Sequence, residues 1–117
     1  MSRTTTALIF KFVMTFAFAA AAFMLIDRNG WTWPLVIGVA GTALNYLFGD
    51  LFVLPKWGNL GASIVDGILA IGLAYIVDLA VPAFTTSAAG LLIFGALVAV
   101  GEYLFHQYLK RSEKVAP

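Results

Sequence analysis

The chain has 117 residues, of which 62% are hydrophobic, 11% are charged and none is cysteine, and seven Lys plus Arg nearly balance six Asp plus Glu. Soluble domains carry about 25% charged residues, and a mean hydropathy of +0.94 requires long apolar runs, so a water-soluble globule is excluded and a bilayer is the expected solvent. The composition also removes disulfides, thiolate metal sites and cysteine nucleophiles, and with no stripe of Lys and Arg to neutralise phosphates it excludes nucleic acid as a partner.

The first apolar run, residues 5–26, is interrupted only by Lys11 and stops at Asp27-Arg28-Asn29-Gly30, which has the chemistry of a tight turn. A secretory signal has an apolar region of about 7 to 15 residues. This run continues past the small residues 19–22 through Phe23-Met24-Leu25-Ile26, so it is expected to be retained. The second run, 33–54, opens with Trp31-Thr32-Trp33-Pro34 and closes before Pro55-Lys56-Trp57-Gly58-Asn59. The third, 60–79, carries Asp66 within it and Asp78 at its far end, and breaks at Pro82. The fourth, 88–109, contains Glu102 and His106 and ends in the charged tail Lys110-Arg111-Ser112-Glu113-Lys114.

A transmembrane helix needs roughly 20 residues, so four spans leave only short loops and tails. Barrel strands would alternate apolar and polar residues over about ten positions, whereas these runs are continuous and longer. The expected fold is therefore all-α: one transmembrane domain over residues 1–117, an integral membrane four-helix bundle, antiparallel and up-down-up-down. In that topology Arg3, Lys11, Lys56, Lys110, Arg111 and Lys114 share one side and Arg28 stands alone on the other, which puts both termini in the cytoplasm. Trp31 and Trp33 at the distal boundary, and Trp57, Tyr103 and Tyr108 at the proximal one, suit interfacial anchors. An offset of 57 residues between runs two and four pairs Asn45-Tyr46-Leu47-Phe48 with Glu102-Tyr103-Leu104-Phe105, Leu35 with Leu92, and Gly38 with Gly95. Runs one and three do not follow this offset, so a tandem repeat of two helical hairpins and chance composition both account for it.

Counted inward from the cytoplasmic ends, Lys11, Asp50, Asp66 and Glu102 fall roughly 7 to 12 Å deep, with Asn45 deeper and His106 shallower. A charge inside a span costs several kcal/mol and usually faces the bundle interior or a wet cavity, so one polar layer built by all four helices is predicted. Helical spacing agrees. Asn59, Ser63 and Asp66 share a face, as do Glu102 with His106, and Gly41 with Asn45 and Gly49. Lys11 balances one of the three carboxylates, so the others call for a proton, a charged His106, a bound cation, a snorkelling Lys56 or Lys110, or water.

Each residue also has a plainer explanation. Lys11 fits an orientation-setting residue that snorkels, and Asp50 fits a structural salt bridge near the interface. Glu102 and His106, four apart, form half of a metal site or a structural hydrogen-bonded pair, without the repeated Glu-x-x-His of carboxylate-bridged bundles. Phe10, Phe12, Phe16 and Phe23 read as packing or lipid contact. No catalytic triad, phosphate-binding loop or His-Glu-x-x-His motif occurs. Neither enzymatic activity nor a cofactor is expected.

The segment Gly49-Asp50-Leu51-Phe52-Val53-Leu54-Pro55-Lys56-Trp57-Gly58-Asn59, followed by Ala62 and Asp66, resembles the YndM-like family of uncharacterised small bacterial membrane proteins. Lys11-Phe12-Val13-Met14 and Gly101-Glu102-Tyr103-Leu104-Phe105-His106-Gln107-Tyr108 fit the same family. The resemblance covers nearly the whole chain and implies four spans, a bacterial cytoplasmic membrane and an unknown role. Its matching polar positions, Lys11, Asp50, Asn59, Asp66, Glu102 and His106, coincide with the layer derived from depth and spacing. Three functional readings follow. The layer is a structural polar core of a homodimeric membrane protein; or Asp66 and Glu102 carry a proton or cation in a channel or transporter; or Trp57 and Lys110-Arg111 serve a lipid-binding or accessory protein.

Overall fold

The computed structural model describes residues 3–112, without the side chains of residues 3–4, 50 and 108–112. Every regular element among them is helical: α1 (Arg3–Ala19), α2 (Thr32–Leu44), α3 (Leu54–Ala80) and α4 (Ala88–Ser112). Wider π-helical turns extend α1 over Ala20–Ile26 and α2 over Asn45–Val53. Three apolar helical stretches are long enough to cross a membrane: Thr5–Ile26 with 22 residues, Thr32–Ala80 with 49 and Ala88–Gln107 with 20. At about 1.5 Å per residue the first covers about 33 Å, slightly more than a hydrocarbon core of about 30 Å.

The 49-residue stretch is not one straight rod. Gly58 has φ 77 and ψ −178, a left-handed conformation that a residue without Cβ adopts freely and that no helix continues through. A straight helix would hold Gly49 and Asp66 about 25 Å apart. Instead, a Cβ on Gly49 would fall on the Asp66 carboxylate, so the chain reverses between them and α3 packs back on the turns Asn45–Val53.

The helix leading into this reversal runs further than the expected stop before Pro55. Proline has no N–H, and its ring clashes with the carbonyl four residues back in an α-helix. Here the preceding turns are π-helical, with the Leu54 N–H reaching back to the Gly49 carbonyl, and the wider register carries Pro55 into the helix.

Packing divides along the helix axes. One half holds an apolar core in which Phe23 meets Phe84 edge-on (centroids 5.3 Å apart) and Phe94 at a tilt (5.0 Å), surrounded by Ala19, Ala22, Ile37, Ala70, Ala74 and Val98. The many alanines keep the backbones close, and Gly67 brings α3 so near α4 that a Cβ there would stand 2.8 Å from the Gly95 carbonyl oxygen. Outward, large apolar side chains such as Leu25, Ile68, Ile76, Leu79, Leu92 and Val100 are exposed, the surface a lipid phase would cover.

The loops at the apolar end are joined by polar contacts. Arg28 takes φ 60, and the Asn29 N–H then reaches the Phe23 carbonyl at 2.8 Å. The Asn29 amide donates to the Thr85 carbonyl (2.7 Å) and accepts from the Thr85 N–H (3.0 Å). Ser87 caps α4, its Oγ accepting the Gly90 N–H at 3.0 Å while its hydroxyl donates to Asp27. Asp78 accepts the Thr86 N–H and hydroxyl, at 3.0 and 2.6 Å.

Candidate functional site: a buried polar cluster

The opposite half of the core is polar. Lys11, Thr15, Thr42, Asn45, Ser63, Asp66, Glu102 and His106 are all buried. A buried charge is expensive unless paired, and the cluster supplies pairs that join different helices. Lys11 on α1 points its ammonium at both carboxylate oxygens of Glu102 on α4, at 2.8 and 2.7 Å, and also lies 5.2 Å from the centroid of the Phe105 ring. Phe105 stacks on Phe10 of α1 at 5.2 Å, which closes this side of the ion pair with aromatic surface. Asn45, at the start of the π-helical turns after α2, donates to Glu102 Oε2 at 3.4 Å. The two residues that the 57-residue offset pairs in sequence therefore meet in space.

The second part of the cluster joins α3 to α4. The Asn59 amide nitrogen donates to the Tyr103 carbonyl at 2.9 Å, which turns the Asn59 carbonyl oxygen toward His106 Nδ1 at 2.8 Å. An amide oxygen only accepts, so Nδ1 carries a hydrogen and Nε2 is the variable nitrogen of the ring. Nε2 faces Asp66 Oδ2 at 3.4 Å, and both side chains are fully buried. Ser63 donates to the Asn59 backbone carbonyl at 2.7 Å and lies 3.5 Å from His106 Nδ1. Gly49 completes the enclosure, since any side chain at that position would occupy the space of the Asp66 carboxylate.

Of the residues singled out by depth and spacing, the structure brings together Lys11, Asn45, Asn59, Ser63, Asp66, Glu102 and His106. The side chain of Asp50 lies outside the described residues, as do those of Tyr108, Lys110 and Arg111. His106 is turned to Asn59 and Asp66 on the neighbouring helix, a partnership across helices that the i, i+4 spacing with Glu102 does not reveal. Two buried hydroxyls escaped the sequence reading. Thr42 donates to the Gly38 carbonyl at 2.7 Å within its own helix, and Thr15 Oγ1 is buried without a hydrogen-bond partner among the described residues. Thr15 falls one turn after Lys11 on the same face, the periodicity that marks it in the sequence.

The small-residue faces are engaged within the chain. Gly38 lies against Phe16, Gly41 against Thr15, and Gly95 against Ile71. Lys56, in contrast, lies over the exposed ring of Phe52, 4.0 Å from its centroid.

No solved structure matches this chain. Over 70 residues it is 34% identical to a protein of Bacillus subtilis (strain 168) described as "Uncharacterized membrane protein YndM". That alignment covers 59% of this chain and 39% of the relative, so the chain spans well under half of the length of that protein. A relative described as a membrane protein and apolar helices of spanning length together make this a membrane protein. The family described as "Protein of unknown function (DUF2512)" matches residues 2–115, nearly the whole sequence, and the chain belongs to that family.

Proposed function

We propose that this chain is a four-span, non-enzymatic protein of the bacterial cytoplasmic membrane, with antiparallel helices and cytoplasmic termini, whose buried polar layer clamps the helices in one register. The observation that carries this reading is the Lys11–Glu102 pair. It is fully buried, forms two short hydrogen bonds, and is joined by Asn45, so two separate segments converge on a carboxylate carried by a third. Two helices free to slide in hydrocarbon gain nothing from apolar contact that lipid does not also offer, whereas a buried ion pair has one favourable register. The break at Gly58 and the contact of Gly49 with Asp66 support counting the 49-residue stretch as two spans. The basic residues on the cytoplasmic side of that topology support the orientation.

The assembly proposed is a homodimer. With Gly38, Gly41, Gly49, Gly67 and Gly95 in contact with other parts of the same chain, its interface would use the outer faces instead.

A second reading, proton or cation passage through Asp66 and Glu102, is favoured by His106 Nε2 standing beside Asp66 in the same layer. Proteoliposomes separate the two. The clamp predicts no proton or monovalent-cation flux from wild-type protein across about pH 5.5 to 8, together with lower thermal stability of Asp66→Asn and Glu102→Gln. Flux in wild type that either substitution abolishes would replace the clamp with a conducting layer.

A further inference from the structure

The geometry points to a divalent transition-metal site formed by Asp66, Glu102 and His106, in the core of the membrane domain. One donor atom from each of these residues lies within 4.8 Å of the other two, and all three side chains are fully buried. Three features set this group apart from an ordinary buried ion-pair network.

The first is a distance. A charge-assisted hydrogen bond between an imidazolium and a carboxylate spans about 2.7 to 2.9 Å. His106 Nε2 and Asp66 Oδ2 stand 3.4 Å apart. Two ligands each about 2.0 to 2.1 Å from a tetrahedral ion subtend about 3.4 Å, so the separation is long for the hydrogen bond and right for a shared ion. The three donor atoms lie within 4.8 Å of one another, so the most separated pair must approach by up to about 1.4 Å to close the set.

The second is the orientation of the imidazole. Ligating histidines donate their other ring N–H to a carbonyl or carboxylate, which leaves the ligating nitrogen with its lone pair forward. The chain from the Tyr103 carbonyl through the Asn59 amide to His106 Nδ1 does this, and it directs Nε2 at Asp66. A ring needed only as a filler between α3 and α4 has no use for so specific a support.

The third is the donor set. One imidazole nitrogen and two carboxylate oxygens suit a first-row transition ion, with water or a further group in the remaining position. Lys11 stands against the site, its ammonium 2.8 and 2.7 Å from the two Glu102 oxygens. A carboxylate has about four lone-pair positions, so Glu102 can accept Lys11 and still offer one to the ion. The ammonium repels cations, which disfavours weakly held hard ions and leaves those that bind nitrogen tightly.

This inference uses the same residues as the clamp but does not depend on it. The clamp concerns the stability of metal-free protein, whereas the site concerns binding of an added ion. The test uses the full chain without a polyhistidine tag, stripped with a chelator in detergent and titrated with Zn2+ alone, then with Co2+ as a spectroscopic probe. The expected result is one Zn2+ per chain, a rise in the thermal midpoint, and visible d–d absorption from Co2+ in a nitrogen and oxygen site. His106→Gln and Asp66→Asn should abolish the stoichiometric binding. Asn59→Ala keeps every ligand and should weaken binding by about 10- to 100-fold. Wild-type protein that takes up no stoichiometric Zn2+ and gives no Co2+ band overturns the site, even where the variants do not fold. Binding that survives both ligand substitutions overturns it too.

Discussion

Substituting Glu102→Gln removes the carboxylate on which Lys11 and Asn45 converge while keeping nearly the same volume. Two hydrogen bonds from a buried ammonium, at 2.8 and 2.7 Å, lose their charged acceptor, and Lys11 is left with no exposure to water through which to recover the loss. A hydrogen bond to a charged group contributes about 1.5 to 3 kcal/mol, and stranding one member of a buried pair costs about 3 to 5 kcal/mol. The glutamine oxygen still accepts one bond, so the expected destabilisation is about 3 kcal/mol, a large fraction of the stability of a small domain. Reversible unfolding in mixed micelles, followed by helical circular dichroism, measures it. Lys11→Met should cost a similar amount, because it leaves the Glu102 carboxylate buried without its ammonium. The double substitution removes both charges and should return to within about 1 kcal/mol of wild type, since replacing a buried pair by uncharged groups of similar volume is often nearly neutral. Single substitutions that each cost under about 1 kcal/mol, with costs that simply add in the double variant, would refute the claim that this pair holds α1 to α4.

Other expected outcomes concern backbone and loop positions and are read by the same unfolding measurement. Gly49→Ala drives a methyl group into the Asp66 carboxylate and should cost about 1 to 3 kcal/mol, whereas Gly72→Ala, a helical glycine with open space around its Cβ position, should be neutral or stabilising by up to about 1 kcal/mol. Gly58→Ala forces a side chain into φ 77 and should cost about 1 to 2 kcal/mol even though nothing lies within 4 Å of the new Cβ. Ser87→Ala removes both the cap on the Gly90 N–H and the bond to Asp27, and a loss of about 1 kcal/mol is expected, accompanied by faster amide exchange at the start of α4.

Much of this protein is legible in its sequence because a bilayer is a demanding solvent. Backbone polar groups in hydrocarbon must be satisfied locally, so an uninterrupted apolar run of this length means helix, and a charge within it means an inward face. Lys11, Asn45, Asn59, Ser63, Asp66, Glu102 and His106 could be named from depth and periodicity alone, and the segments Pro55-Lys56-Trp57-Gly58-Asn59 and Asp27-Arg28-Asn29-Gly30 announced themselves as places where apolar runs end. Partner choice was not legible. Helical spacing says that Glu102 and His106 share a face, but not that Lys11 selects Glu102, or that Asn59 turns the imidazole toward Asp66. Those choices depend on the rotation and rise of one helix against another within a few ångströms, which are set by where Gly67 meets Gly95 and where Gly49 makes room for Asp66. The continuation of the helix through Pro55 was equally hidden, because it rests on a widened π register in the preceding turns. Solvent and helices are written in the sequence, since these follow from local chemistry. Only the tertiary structure decided which buried charges meet, since pairing is a property of distances between segments far apart in the chain.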